Sequence, residues 1–384
     1  MKNAVLFVGY STNMGLTYHL AHLAVALREA AEGREPRIIL ASTPGEQNVG
    51  LWEKVRSGFP EADICVFSKD FEPVTKVAEE ILKDHDSLVI HVQGFHQFKS
   101  ALPAKLAHPN RVKIVATMHS FKLGSWKRYP TSYVISKSYR RHTDFTIFLC
   151  PFAVDRFVGS GSLFRQGRAG IIPLGVEAWP AEKLNPPECP VGEPDLRELL
   201  TEEGAFRFVY LANFHRPKGH RWLAEGMAPV LKKHTHGRLL LLGEGSMLAK
   251  TKRLVQELGV AEQVFFPGRI DRNHVPWVLT RCHVGIVATK TETFGHNYAE
   301  PMVAGLPVLG TRIGVGRWLI QDYITGMGMR WGDRKALCKA AEFLIENPDA
   351  AKEMGCNAQA LVRPHFTWPK VANAYLRLYK SLMK

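Results

Sequence analysis

Two carboxylates, Glu292 and Glu300, stand eight residues apart in the stretch TKTETFGHNYAEPMVAG at 289–305. The residues before it, Val284-Gly285-Ile286-Val287-Ala288, read as a buried strand. Those after it take helical spacing until Gly305, which suits a left-handed C-terminal cap. The first acid therefore falls in a strand-to-helix turn and the second in the helix body. Open α/β sheets bind ligands at this end of their strands, where a helix N-terminus offers free N–H groups and a positive dipole. Carboxylates there hold hydroxyls while the helix end holds an anion, a combination suited to a polyhydroxyl group joined to a phosphate. The plain alternative is a solvated loop acid and a helix-surface glutamate.

Other strand ends carry groups of complementary chemistry. After Phe208–Leu211 comes Asn213-Phe214-His215-Arg216-Pro217-Lys218-Gly219, where an arginine fork and a lysine point charge fit a diphosphate; a solvated Arg216 fits equally. Gly243-Glu244-Gly245 turns after Leu239–Leu242, and Phe266-Pro267-Gly268-Arg269-Ile270 follows another strand. Nearer the start, Gly9 to Gly15 joins the first strand to the first helix, a place where glycine lets backbone N–H groups approach an anion. His119 ends the Lys113–Thr117 strand, and His91 and His96 flank the preceding loop; alone, a histidine at a strand end is as well explained as a structural hydrogen-bonder.

These residues need a scaffold, and the chain's rhythm supplies one. Ala4-Val5-Leu6-Phe7-Val8 is a continuous apolar strand, and Leu16, Leu20, Leu23, Ala24 and Leu27 then recur at helical spacing up to Gly33. Further strands are expected at Arg37–Ala41, Asp63–Phe67, Leu88–Val92, Lys113–Thr117, Phe145–Leu149 and Ile171–Val176. A proline-crowded polar stretch interrupts the pattern, and strands resume at Phe208–Leu211, Leu239–Leu242, Val264–Phe266, Val284–Ala288 and Pro307–Leu309. The spacing predicts an α/β protein: a domain over 1–177, a linker over 178–204, a second domain over 205–367 and a final helix over 368–384. Thr367 would cap that helix, Pro369 would sit in its first turn, and Val371, Tyr375, Leu378 and Leu382 would form its apolar stripe.

Composition narrows the setting. At 384 residues two domains are the natural expectation, and 46% apolar with 22% charged residues is ordinary for a globular chain. No apolar run reaches the length of a membrane span, and the N-terminus lacks a signal peptide's features. Six scattered cysteines without a C-x-x-C pair argue for reduced thiols, a cytoplasmic setting and no zinc site. The net charge of +14 asks for an anionic partner, whether nucleotide-linked substrate, lipid surface or nucleic acid. Within Ser120–Thr143 the bases Lys122, Lys127, Arg128, Lys137, Arg140 and Arg141 alternate with Trp126, Tyr129, Tyr133 and Tyr139. That segment suits an anionic membrane surface, an acceptor site or plain solvent; without a nucleic-acid module a nucleic-acid groove is disfavoured.

Glu292-Thr293-Phe294-Gly295 followed by Glu300-Pro301-Met302-Val303-Ala304-Gly305-Leu306-Pro307-Val308 resembles the E-x7-E segment of retaining GT-B glycosyltransferases, family 4 in particular. The resemblance implies two Rossmann-like domains facing a cleft, with a C-terminal helix crossing back to the N-terminal one. It also implies hexosyl-type transfer from a nucleoside diphosphate sugar to a hydroxyl of a glycan, lipid-linked or small-molecule acceptor, with no cofactor and no metal. Lys218 matches the family's lysine of Lys-Gly, Arg216 stands in for an arginine the family places where this chain has Asn213, and His119 and Glu292 would meet the sugar. Gly15, Asn213, Gly243, Gly245, Arg269, Ile270, Thr293, Phe294, Gly295, His296 and Glu300 would line the donor. His91, His96, Trp126, Lys127, Arg128, Arg140 and Arg141 would lie toward the acceptor or a membrane's inner face. One departure is Gly314-Val315-Gly316-Arg317-Trp318, where the family shows Gly-Gly and a glutamate near the place of Trp318. An epimerase on the same architecture and a non-catalytic protein that binds an anionic ligand are the competing expectations.

Overall fold

Strands that are apolar at nearly every position need cover on both faces, so they must be interleaved with helices. The computed structural model of the protein describes residues 2–9, 14–42, 55–66, 73–119, 137–154, 160–184 and 194–384. The chain divides into two compact units, Met1–Gly175 with Phe366–Lys384, and Val176–His365. Between Val176 and the first strand of the second unit lie the short helices Ala181–Leu184 and Pro194–Thr201.

The first unit holds seven parallel strands: β1 (Asn3–Gly9), β2 (Arg37–Ser42), β3 (Ile64–Val66), β4 (Ser87–Val92), β5 (Val112–Met118), β6 (Phe145–Phe148) and β7 (Ala169–Ile171). Their order is β3-β2-β1-β4-β5-β6-β7, so the winding reverses between β1 and β4. The strand expected over Ile171–Val176 ends at Ile171 instead, because Pro173 has no N–H to give a ladder. The one expected over Asp63–Phe67 is trimmed at its start by a 3₁₀ turn, Glu61–Asp63.

The second unit holds six parallel strands: β8 (Phe206–Leu211), β9 (Gly237–Leu242), β10 (Val264–Gly268), β11 (Val284–Val287), β12 (Val308–Thr311) and β13 (Gly326–Met329), ordered β10-β9-β8-β11-β12-β13. Here the winding reverses between β8 and β11. Strand β13 was not expected; its sequence, Gly-Met-Gly-Met, has no β-branched residue to announce it.

The final helix, Trp368–Leu382, belongs to the first unit and packs on the helix Met14–Ala31. Pro369 sits in its first turn as expected, whereas the Thr367 hydroxyl makes no capping bond although its backbone is extended. The buried face is Trp368, Val371, Ala372, Tyr375, Leu376 and Tyr379, with Leu378 and Leu382 at its margin. Trp368 stacks on His22 with ring centroids 5.4 Å apart. It also lies against Gly175, where a Cβ would come within 2.1 Å of Trp368 Cε3. Trp368 therefore closes a socket that no smaller side chain fills. Trp368→Ala should cost about 3–5 kcal/mol, read as a lowered urea midpoint for the first unit; an unchanged midpoint would show that the helix is not needed to complete that core.

Candidate functional site

In the second unit the turns after β8 and β11 meet at the point of reversal, the place where open α/β sheets gather their ligands. The Pro217 carbonyl accepts from Lys290 N–H at 2.6 Å and from the Thr289 hydroxyl at 3.2 Å. Gly219 follows with φ +72°, and a Cβ there would lie 2.1 Å from the Ala288 oxygen. Only glycine fits so close an approach in that conformation, which is why Lys218 is followed by one. The Ala288 oxygen is itself taken by Trp222 Nε1–H at 3.0 Å, and Tyr210 donates to the Lys218 carbonyl at 2.8 Å.

The turn so fixed brings Lys218 Nζ to 2.8 Å from Glu292 Oε2. The other oxygen of Glu292 accepts from Thr293 N–H at 3.2 Å. Both side chains are largely buried, with Lys218 29% and Glu292 19% exposed. Gly314, at φ +54°, presses on this loop: a Cβ would lie 2.3 Å from the Glu292 oxygen, and Val315 N–H donates to the Thr293 oxygen at 2.9 Å. Thus Gly314-Val315 braces the Glu292 loop through its backbone, and Val315 is fully buried. A Cβ on Gly295 would meet both Glu292 Cγ and Asn297 Oδ1, so those two side chains close over the start of the helix His296–Val303.

Glu300 lies in that helix, its side chain only 5% exposed, and pairs with the half-exposed Arg272. Arg272 was not anticipated. It belongs to the loop after β10, where Asp271 accepts from Asn273 N–H at 2.8 Å, and 28 residues separate it from its partner. No local pattern marks so distant a pairing. Arg269 on the same loop is exposed and Ile270 is half-buried. Gly243 N–H donates to the Gly268 oxygen at 2.8 Å, and Phe214 N–H to the Glu244 oxygen at 2.7 Å, which ties the Gly243–Gly245 turn to the loops after β8 and β10. Asn213 and Arg216 are exposed, Thr293 and Phe294 are buried, and His296 is half-buried with its ring edge-on to Phe294 at 6.1 Å. The expected donor-lining residues of this unit are therefore carried on the loops after β8, β9, β10 and β11 and on the helix His296–Val303.

The first unit distributes its expected residues differently. Gly15 falls in the first turn of the helix Met14–Ala31 rather than in the loop before it, and 10–13 lie outside the described residues. His119 follows β5, half-buried, with Nε2 2.6 Å from Gln93 Oε1 and its ring edge-on to His19. His91, expected toward the acceptor, is instead wholly buried between Tyr379 and Thr117. It sits inside the strand, where its side chain points into the sheet's covered face. His96 lies in the helix Phe95–Ala107, its side chain outside the described residues, as are Trp126, Lys127 and Arg128 altogether. Arg140 and Arg141 are on a helix turn, where the Arg140 carbonyl accepts from Arg168 at 2.7 Å and Arg141 is exposed. Among the described residues His234, Glu342 and Glu346 come close enough to share an ion, but Lys233 already bridges both carboxylates.

Residues 193–361 match the family model for glycosyl transferases group 1. Relatives lie at low identity. The N-acetyl-alpha-D-glucosaminyl L-malate synthase of Bacillus anthracis is 25% identical over 194 residues, 50% of each chain. The GDP-mannose-dependent alpha-(1-6)-phosphatidylinositol monomannoside mannosyltransferase of Mycobacterium tuberculosis is 22% identical over 276 residues, 70% of this chain and 69% of that one. The chain thus spans from about half to about two thirds of the curated relatives' length. Among solved structures, Anabaena HepE in complex with UDP superposes with a TM-score of 0.77 at 17% identity, over 99% of this chain and 100% of that one. Sucrose-phosphate synthase of Thermosynechococcus elongatus does so with 0.71 at 21%, over 100% and 99%. The fold is that of GT-B glycosyltransferases, as the spacing and motifs led us to expect.

Within the matched segment His220 opens the helix after Gly219, stacked on Phe214 at 4.0 Å and buried. Burial, with smaller help from the charges of Lys218 and His215, pushes its pKa down to about 4. The folded protein thus holds this imidazole neutral where the unfolded chain, with a pKa near 6.5, would protonate it. The stability it contributes is present above about pH 6.5 and is lost as pH falls toward 4. His220→Phe keeps the stack and should remove up to one proton of linkage, about 1.4 kcal/mol per pH unit, from the slope between those values. Denaturant midpoints of both proteins from pH 7.5 to 4.5 measure it; parallel curves would mean that His220 titrates alike in both states.

Proposed function

We propose that this protein is a retaining glycosyltransferase that moves a sugar from a nucleoside diphosphate donor to a hydroxyl of a glycan, lipid-linked or small-molecule acceptor bound mainly by the N-terminal unit. The observation that carries the reading is the Lys218–Glu292 pair at the reversal point between β8 and β11, with Glu300 one helix turn and a half beyond the loop. A cation, two acids and a helix N-terminus together match a diphosphate linking two hydroxyl-rich groups. Lys218, assisted by the exposed Arg216, stabilises charge growing on the leaving diphosphate, so that side chains rather than a metal ion carry that load. Glu300 holds the ribose hydroxyls and Glu292 the sugar ring. His119 is assigned to the sugar, and the leaving phosphate assists the incoming hydroxyl on the same face. Support comes from the group 1 match and from the HepE structures, which contain UDP and UDP-glucose. The mycobacterial relatives are named for GDP-mannose. UDP-glucose and GDP-mannose are therefore the first donors to examine by thermal shift, since a ligand of the native state raises Tm by mass action. No helix among the described residues is long and apolar enough to cross a membrane; we place the enzyme in the cytoplasm, with a peripheral membrane position left to the basic stretch that includes Arg140 and Arg141.

With the donor that stabilises the protein, Lys218→Ala should lower kcat/KM by on the order of a hundredfold or more while leaving the Tm within a few degrees. Normal turnover by a folded Lys218→Ala protein would take Lys218 out of the mechanism. The two acids separate by ligand. Glu300→Gln should weaken both the free nucleoside diphosphate and the donor, whereas Glu292→Gln should spare the nucleoside diphosphate and slow turnover. Each lost charge-assisted hydrogen bond is worth about ten- to a hundredfold. Calorimetry with UDP or GDP beside donor kinetics reads both, and the reverse pattern would exchange the two roles.

A further inference from the structure

Gln93, the residue after β4, lies between two histidines of the first unit. Its Oε1 is 2.6 Å from His119 Nε2, and its Nε2 is 3.2 Å from His91 Nε2. His91 is held in turn by the Thr117 hydroxyl, 2.7 Å from Nε2, and by the Tyr379 hydroxyl, 2.6 Å from Nδ1. Tyr379 and Tyr375 come from the final helix, and the Tyr375 hydroxyl is 3.4 Å from that of Thr117. Gln93 is 4% exposed and His91, Thr117 and Tyr379 are fully buried, so water does not compete for these bonds. Burial, with the nearby His119 ring, holds the His91 pKa well below its usual value and the ring stays neutral.

A carboxamide donates on one side and accepts on the other. With Oε1 toward His119, that ring must carry its proton on Nε2 and donate it. With the amide N–H₂ toward His91, His91 Nε2 must accept, so its proton sits on Nδ1 and goes to the Tyr379 oxygen. The orientation of the amide is assigned from this network, and turning it over would reverse both rings together. The tautomer of His119 is thus tied to that of a neutral histidine locked in the core. Which nitrogen of an imidazole carries the proton is set by the bond its other nitrogen makes, and the tautomer decides whether the ring offers a substrate a donor or an acceptor.

We propose that Gln93 is a positioning residue for His119: it fixes the plane and tautomer of that ring, and His91, anchored by Tyr379 of the final helix, keeps the amide from turning. The proposal rests on the reading of His119 as a group that meets the donor sugar. Gln93 carried no signal in the sequence because its importance lies in two partners, one of them expected toward the acceptor and found buried.

Long-range ¹H–¹⁵N spectra of the histidine rings of the ligand-free protein, assigned with His119→Ala and His91→Phe, test the ring directly. His119 should appear as the Nε2–H tautomer in the native protein and as a mixture in Gln93→Leu; an unchanged tautomer in Gln93→Leu overturns the proposal. In turnover of UDP-glucose, or of GDP-mannose if that is the donor that raises Tm, Gln93→Leu should lower kcat about tenfold with little change in KM. That loss should vanish in a His119→Ala background. Losses that multiply instead assign Gln93 a structural role only and overturn it. Full turnover by His119→Ala would remove His119 from the reaction and this proposal with it, while leaving the donor site to stand or fall on Lys218→Ala. Should Gln93→Leu fold poorly, Gln93→Glu keeps the shape and places a carboxylate on the ring's N–H. The His119 pKa should then rise by about one unit or more, and no rise overturns the proposal.

Discussion

The carbonyl oxygen of Pro217 accepts from two groups at once, the Lys290 N–H at 2.6 Å and the Thr289 hydroxyl at 3.2 Å, and so joins the turn after β8 to the turn after β11. Proline suits the position because its φ is fixed and it has no N–H to satisfy in a crowded turn. Once these backbones are joined, Lys218 and Glu292 have little choice of partner, although they stand 74 positions apart in the sequence. Gly219 permits the approach and Gly314 closes the other side. The ion pair is therefore a consequence of backbone packing, which makes its geometry reproducible in a way that two long surface side chains would not be.

The first unit solves the same problem with side chains. Its point of reversal lies between β1 and β4, and the residue after β4 is Gln93. What steadies that end of the sheet is a helix contributed by the far end of the chain: Tyr379 and Tyr375 reach His91 and Thr117 on adjacent strands. A buried tyrosine hydroxyl needs a partner, and a buried imidazole needs two. Satisfying one another, they bind the last residues of the chain to strands laid down some 260 residues earlier, the separation of Thr117 and Tyr375 being 258.

Much of this was legible because it is local. The strand before Glu292, the helix ended near Gly305, the Lys-Gly turn and the stripe of the final helix are all written in runs of fewer than twenty residues, as the helix Trp368–Leu382 with its 15 shows. What stayed hidden is non-local or unpatterned. Arg272 meets Glu300 only in the folded unit: β9 and β8 lie between β10 and β11 in the sheet, and the arginine on the loop after β10 pairs with an acid of the helix after β11. His91, read at the end of the Leu88–Val92 strand beside the following loop, gave no hint that a tyrosine from the final helix would cover it. Strand β13 lacks the composition of a strand and exists because β12 offers it an edge. The expectation that Thr367 caps its helix failed at the side chain: the backbone is extended, but the hydroxyl makes no capping bond.

Charge at the site raises a last question of scale. Lys218, Glu292, Arg272 and Glu300 sum to zero, and each acid is more buried than the base it meets. An unpaired carboxylate so buried would be expensive to keep, and each acid here is matched by a base of the protein. A neutral quartet exerts little long-range pull on an anion. Attraction must then come from elsewhere: from the exposed Arg216 and Lys290 at its margin and from the chain's excess of 14 positive charges, which steers anions through the field of the whole protein. On the function proposed above, arrival and orientation are thus carried by different residues. The general basic excess brings a diphosphate in. The quartet then reorganises around it, Lys218 exchanging a carboxylate for a phosphate and Glu292 exchanging an ammonium for hydroxyls, so that the carboxylate keeps hydrogen-bond donors in place of its counter-charge.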